Sequence, residues 1–152
     1  MTAFDISSID IVADSERGAW LHLKDPRSAA PLYAGKDKPC RLHILGPQSK
    51  IVQDVTDSVG KERQRREAER NECDYTGKVI KRGESTNEEL RDDDIKVYVA
   101  AITTWENLAF EGDEKFSAEV IESMIRARPW VGRQVYMFML DHANFIEGRE
   151  KS

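Results

Sequence analysis

The segment PWVGRQVYMFMLDHANFI, residues 129–146, sets the tightest limit on what this chain can fold into. Pro129 suits the first position of a helix, where a missing N–H costs nothing. Val131, Val135, Phe138, His142 and Phe145 then recur as one stripe at helical spacing. Tyr136, Met137, Met139 and Leu140 widen that stripe to most of the circumference. A helix apolar nearly all round needs cover on more than one side. Either the rest of the chain supplies it or a partner does. Contiguous exposed apolar side chains usually mark an interface, and methionines adapt readily to such surfaces. Tyr136, Met137, Met139 and Leu140 are therefore the candidate partner-binding residues, for another protein or for a second copy of this one.

The residues before this helix are punctuated in the same clear way. Thr86 and Glu89 have capping-box spacing. Acidic residues crowd the turns that follow, as the helix dipole prefers. Tyr98, Ala101, Ile102, Trp105 and Leu108 then recur at spacings of three and four, which predicts one helix running to Leu108. Gly112 allows a turn. Ser117 is the expected N-cap of a further helix with Val120, Ile121, Met124 and Ile125 on its apolar face. Trp105 and Phe138 are expected to pack together across this helical half.

The N-terminal part reads differently. In AWLHLKD, residues 19–25, Ala19, Leu21 and Leu23 share one face of a strand; in CRLHIL, residues 40–45, Cys40, Leu42 and Ile44 do. DPRS and AGKDKP supply turn chemistry. FDISSIDIVADSERG before them fits a strand or a short helical turn. A sheet this small needs a helix to cover it. Ser49 is a suitable N-cap for the next helix, in which Ile51, Val52, Val55 and Val59 recur. That helix becomes fully charged in KERQRREAERNE, where Glu62–Arg66, Arg63–Glu67 and Arg65–Glu69 are spaced i,i+4. Its charged end is expected to run into solvent. CDYTGKVIKRGES, residues 73–85, reads as a loop or short hairpin. The fold class is thus α+β: a small antiparallel β subdomain over 1–48, a connecting helix over 49–72, and a helical subdomain of three to four helices over 73–152.

A chain of 152 residues with 39% hydrophobic and 34% charged residues can bury a real core without staples. Two cysteines, Cys40 and Cys73, are too few for a disulfide framework, and reduced thiols in a cytosolic protein are the simplest expectation. No apolar run approaches membrane-helix length, and MTAFDISSID has no signal-peptide character. Charge is segregated: residues 61–83 carry eight basic and five acidic side chains, residues 84–125 three basic and twelve acidic. The acidic half argues against broad nucleic-acid binding and suits a basic partner. In KERQRREAER, glutamates interleave the arginines and no aromatic is present to stack on bases.

Nothing in the sequence marks an active site, and the chain reads as no enzyme. The serines sit at turns and caps, no nucleophile elbow occurs, and LGPQSK lacks the glycines of a phosphate loop. No cofactor is implied. Cys40 and His43, three apart in a strand, point to opposite faces and cannot chelate one metal together; no C-x-x-C or H-x-x-x-H spacing exists.

The stretch AAITTWENLAFEGDEKFSAEVIESMIRARPWVGRQVYMFMLDHANFI resembles the C-terminal part of the tail assembly chaperone-like proteins of tailed bacteriophages. The residues that carry the resemblance are Trp105, Glu106, Asn107, Gly112, Phe116, Ser117, Pro129, Trp130, Asp141, Asn144 and Phe145. FDISSID, GAWLHLKDP, PLY and LGPQSK agree more loosely in the N-terminal half, and Lys61 to Ser85 matches nothing in the pattern. The resemblance implies a non-enzymatic adaptor in the host cytoplasm during virion assembly. Such an adaptor holds the coiled-coil-prone tape-measure protein soluble and recruits tail-tube subunits. A structural tail or neck component of the virion, or a DNA-associated phage protein using the Arg63–Arg70 helix, are the alternatives.

Overall fold

The computed structural model describes residues 3–146. Residues 1–2 and 147–152, at the outer ends of the first and last expected segments, lie outside that description. The architecture is α+β: a three-stranded antiparallel sheet packed with a mainly helical C-terminal half.

A single 3-10 turn at Ile6–Ser8 leads into α1 (Ile11–Arg17), each capped by an aspartate, Asp5 and Asp10. The ambiguous opening stretch is therefore helical. Strands β1 (Ala19–His22) and β2 (Arg41–Ile44) pair antiparallel, with Leu21 opposite Leu42. Helix α2 (Lys50–Glu69) starts at Ser49, whose Oγ accepts from Val52 N. Strands β3 (Glu72–Cys73) and β4 (Val79–Lys81) form a short hairpin turned by Asp74, whose carboxylate accepts from Thr76 N and Lys78 N. The capping box at Thr86 and Glu89 opens α3 (Asn87–Ala101). Ser117 caps α4 (Ala118–Ala127), and Pro129 begins α5 (Pro129–Leu140).

Three expectations are corrected. The helix expected to reach Leu108 stops at Ala101, and Ile102–Glu106 forms β5, which pairs with β2. Ile102, Thr103 and Thr104 are β-branched and stiff at χ1, so they favour a strand over a helix. The sheet order is β1-β2-β5, so the sheet draws its third strand from beyond residue 48. The terminal helix ends at Leu140 rather than Phe145. Asp141 is extended and caps a 3-10 turn over His142–Phe145, and Asn144 Nδ2 donates to the Phe138 carbonyl at 3.0 Å.

The third correction concerns the charged end of α2, which lies along α3 instead of leaving the body. Arg63 Nε and Arg66 Nη2 both donate to Asp93 Oδ2, at 3.1 and 2.9 Å. Arg70 forks onto Glu89, and Arg66 also reaches Ser85. Of α2 only Val52 is buried, so this helix is held largely by charge-assisted hydrogen bonds.

The core sits between the sheet and the C-terminal helices. Leu42 and Ile44 from β2, and Ile102 and Trp105 from β5, face Ile95 of α3, Ile121 and Ile125 of α4, and Val131, Val135 and Phe138 of α5. Full burial of such side chains stabilises by about 1.5–3 kcal/mol each. Trp105 packs edge-on against Phe116 at 5.8 Å, and its Nε1 donates to the Glu114 carbonyl. Phe138 packs edge-on against Phe145 at 5.4 Å. The two rings expected to meet thus belong to one core, but each has a different aromatic partner.

Candidate protein-binding surface

Helix α5 turns two faces in different directions. Val131, Val135, Phe138 and Met139 face inward and are buried. Tyr136, Met137 and Leu140 are 47%, 59% and 62% exposed. Three of the four candidate residues therefore lie on the surface. Met139 does not: at 8% exposure it is core, because it sits one helical repeat beyond Val131 and Val135 on the inward stripe.

Beside Tyr136 the helix opens onto a cavity of about 390 Å³ between α3, α4 and the start of α5. Its floor is apolar, with Ile95, Ile125 and Tyr98. Gly132 keeps it open. A Cβ there would stand 3.1 Å from Ile125 Cγ2 and 3.5 Å from the Tyr98 ring, so any side chain would crowd that floor. Tyr98 also faces the Tyr136 ring at 6.3 Å, which joins the cavity to the exposed stripe. Burial, then the nearby charges of Asp94 and Tyr136, pushes the Tyr98 phenol up to about 12. Burial also raises the Asp94 carboxyl above its ordinary value, with Arg63 opposing and Asp93 adding to the effect. Arg126 at the rim is tied to Asp92 at 2.6 Å.

On the other flank, Met137 and Phe138 line a groove of about 430 Å³ with Leu21 and His22 of the sheet. Its wall is fixed by Gln134. The amide oxygen accepts from Lys24 N at 2.9 Å and the amide nitrogen donates to Lys24 O at 2.7 Å, so one side chain imitates a strand pairing. The end of α5 is held in turn by the N-terminal segment. Arg17 Nη2 donates to the Phe145 carbonyl at 2.6 Å, and His142 Nε2 lies 3.2 Å from Asp14 Oδ2. That segment exposes Phe4, Ile6, Ile9 and Val12, and Ile146 is half-exposed beyond α5.

Two parts of this surface escaped sequence reasoning. A glycine inside an otherwise apolar helix was the available signal for the cavity. The exposed residues Phe4, Ile6, Ile9 and Val12 had no readable period.

The Cys73 thiol is exposed, while Cys40 and the sheet histidines are engaged locally. Cys40 is buried with its thiol against the Asn107 carbonyl, and burial raises its pKa. His22 meets the Leu32 carbonyl at 2.7 Å, and His43 meets Thr103 Oγ1 at 2.6 Å. Among the described residues no three His, Cys, Asp or Glu side chains gather as a metal site requires. No helix among them is long and apolar enough to cross a membrane. No protein-family model matches the chain, and no curated protein or solved structure matches it.

Proposed function

We propose that this chain is a non-enzymatic assembly adaptor of a tailed bacteriophage, which engages the tape-measure and tail-tube proteins in the host cytoplasm while the virion is built. The observation that carries this reading is the exposed row Tyr136, Met137 and Leu140 on a helix whose opposite face is core. Large apolar side chains kept in water beside an open apolar cavity suit a surface made to be covered.

The residues that carry the bacteriophage resemblance support the reading through the joints they occupy. Trp105 and Phe116 stack where β5 gives way to the loop before α4. Asn107 has a positive φ of 57° and donates to the Pro39 carbonyl at 2.9 Å. Gly112 takes a φ of 83° in the turn. Ser117, Pro129 and Asp141 start helical segments, and Asn144 and Phe145 fasten the last one. All of them fix geometry and none is arranged as a nucleophile with its base, which suits a binding scaffold.

The DNA-associated alternative gains less support. Arg63, Arg66 and Arg70 spend their hydrogen bonds on Asp93 and Glu89, and Arg65 pairs with Glu62 and Glu69. Phosphate contacts need cations that are free to displace the counterions condensed on DNA.

Co-expression with the neighbouring tape-measure and tail-tube proteins, followed by pull-down, tests the proposal. The wild-type chain should retain one of them, and a Met137→Asp, Leu140→Asp variant should stay folded and lose it. Undiminished retention by the folded variant would overturn the α5 surface; retention of neither protein by the wild type would overturn the adaptor role.

A further inference from the structure

The three-stranded sheet has two unlike faces. Leu21, Leu42, Ile44, Ile102 and Trp105 belong to the core shared with the C-terminal helices. Residues directly opposite one another in an antiparallel sheet share a face. The face turned away from the core therefore holds two rows: Trp20, His43 and Thr104, then His22, Arg41 and Glu106. Such a face is ordinarily a plain polar surface, but this one is built largely from rings. Trp20 meets His43 edge-on at 5.1 Å, and His22 meets Tyr33 edge-on at 4.9 Å. The Arg41 guanidinium lies 4.8 Å from the Trp20 ring centroid. The imidazoles are fixed in place, since His22 Nε2 donates to the Leu32 carbonyl and His43 Nδ1 lies 2.6 Å from Thr103 Oγ1. Trp20, His22, Arg41 and His43 are half-buried, and Tyr33 is 57% exposed.

Charge selects the occupant. Residues 19–45 carry five basic and two acidic side chains, in a chain whose net charge is −5. Arg27 and Arg41 are tied to Asp25 and Glu106. Lys24, Lys36 and Lys38 are exposed and form no ion pair among the described residues. Lys24 follows Trp20 and His22 at a spacing of two, on their side of the chain. Lys36 and Lys38 sit directly after Tyr33, in a turn where Ala34 N donates to the Lys38 carbonyl at 2.9 Å. Free cations beside exposed rings match a single strand of nucleic acid, whose phosphates suit the lysines and whose bases suit the rings. Acidic side chains of a protein would answer the lysines but not the rings. In a duplex the bases are already stacked on one another, so a single strand fits better.

We infer that this sheet face binds single-stranded nucleic acid, with bases stacked on Tyr33 and on the Trp20–Arg41 pair and phosphates against Lys24, Lys36 and Lys38. Both requirements that the α2 arginines fail are met here: the lysines are not spent on carboxylates, and aromatic rings lie beside them. The inference does not rest on the assembly role proposed above.

Fluorescence anisotropy of a labelled single strand of about 12 nucleotides, titrated with the full chain, tests this. At about 50 mM salt the dissociation constant should lie below about 100 µM. Three phosphate contacts to a single strand should make affinity fall roughly tenfold to twentyfold between about 50 and 200 mM salt. Tyr33→Ala, and separately the Lys36→Glu, Lys38→Glu pair, alter exposed side chains; each should weaken binding roughly fivefold or more while far-UV circular dichroism stays unchanged. Tryptophan fluorescence should be quenched by the strand. That quench should vanish in Trp20→Phe, which keeps a ring on the face and leaves Trp105 and Trp130 as the remaining fluorophores. Absence of binding at about 100 µM protein and 50 mM salt overturns the inference. So does unchanged affinity in the folded Tyr33→Ala variant, or a quench that persists in Trp20→Phe. Poly-glutamate competing as well as a second unlabelled strand would assign the face to acidic proteins and likewise overturn it.

Discussion

Arg66 Nη2 stands 2.9 Å from Asp93 Oδ2, and Asp93 is only 2% exposed. Arg63 reaches the same oxygen, so one buried carboxylate fastens two successive turns of α2 to α3. Removing that carboxylate takes from Arg63 its carboxylate partner and leaves Arg66 with Glu89, 3.3 Å away, as its remaining anion. Asp93→Asn is expected to destabilise the fold by about 3 kcal/mol, the low end for breaking a buried pair, since Arg63 retains access to water. Urea unfolding of the two proteins at neutral pH measures the difference.

The same site gives a pH dependence with a definite sign. Burial opposes ionisation of Asp93, but hydrogen bonds from Arg66 and Arg63, reinforced by their charges, outweigh it and hold the carboxyl below its ordinary value. Arg70 and the Thr86 backbone bring Glu89 down to about 2. A depressed carboxylate stabilises the folded state fully above its unfolded pKa, and that contribution is lost as pH falls through the folded value. Stability should therefore decline from about pH 4 toward pH 2. The decline should be shallower in Asp93→Asn, and thermal melts across that window check it.

Much of the helical punctuation was legible because capping is local. Ser49, Thr86, Ser117 and Pro129 each act within one turn of their own sequence position, and each begins a helix as read. Strand β5 was hidden for a physical reason. Its register shifts between His43 and Ile44 of β2, placing Thr104 opposite His43 but Ile102 opposite Ile44. Thr103 is the extra residue, so Ile102 and Trp105, three apart, both point into the core. A spacing of three reads as helix when the bulge is unseen. The course of α2 was misread because the spacing rule counts only partners within one helix, whereas Arg63, Arg66 and Arg70 find theirs across the α2–α3 pair. On α5, periodicity gave the excess of apolar residues but not which way the helix is turned. Met139 was therefore grouped with three residues that are exposed.

Aromatic partners separate the observed core from the expected one. Trp105→Ala and Phe138→Ala should each cost about 3–5 kcal/mol, since both rings are nearly buried. In double-mutant cycles, Trp105 with Phe116 and Phe138 with Phe145 should each couple by about 0.5–1.5 kcal/mol. Trp105 with Phe138 should be close to additive. A coupling for that last pair as large as for the other two would contradict the packing described.

Gly60 offers a prediction in the opposite direction. It lies inside α2, and a Cβ there would meet nothing within 4 Å. Glycine in a helix interior costs roughly 0.5–1 kcal/mol relative to alanine. Gly60→Ala should therefore stabilise the protein by about that amount. An unchanged or lowered unfolding midpoint would contradict the open placement of that position.

Hydrogen exchange on the proposed complex with the tape-measure or tail-tube protein tests the α5 surface most directly, because it reports where such a partner sits. Relative to the free chain, protection should rise in peptides covering Pro129–Leu140 and in the part of α3 around Tyr98, which lines the cavity. Peptides covering the outer charged face of α2 around Arg65 should be unchanged. Protection confined to α2 or to the sheet, with α5 exchanging as in the free protein, would contradict the account.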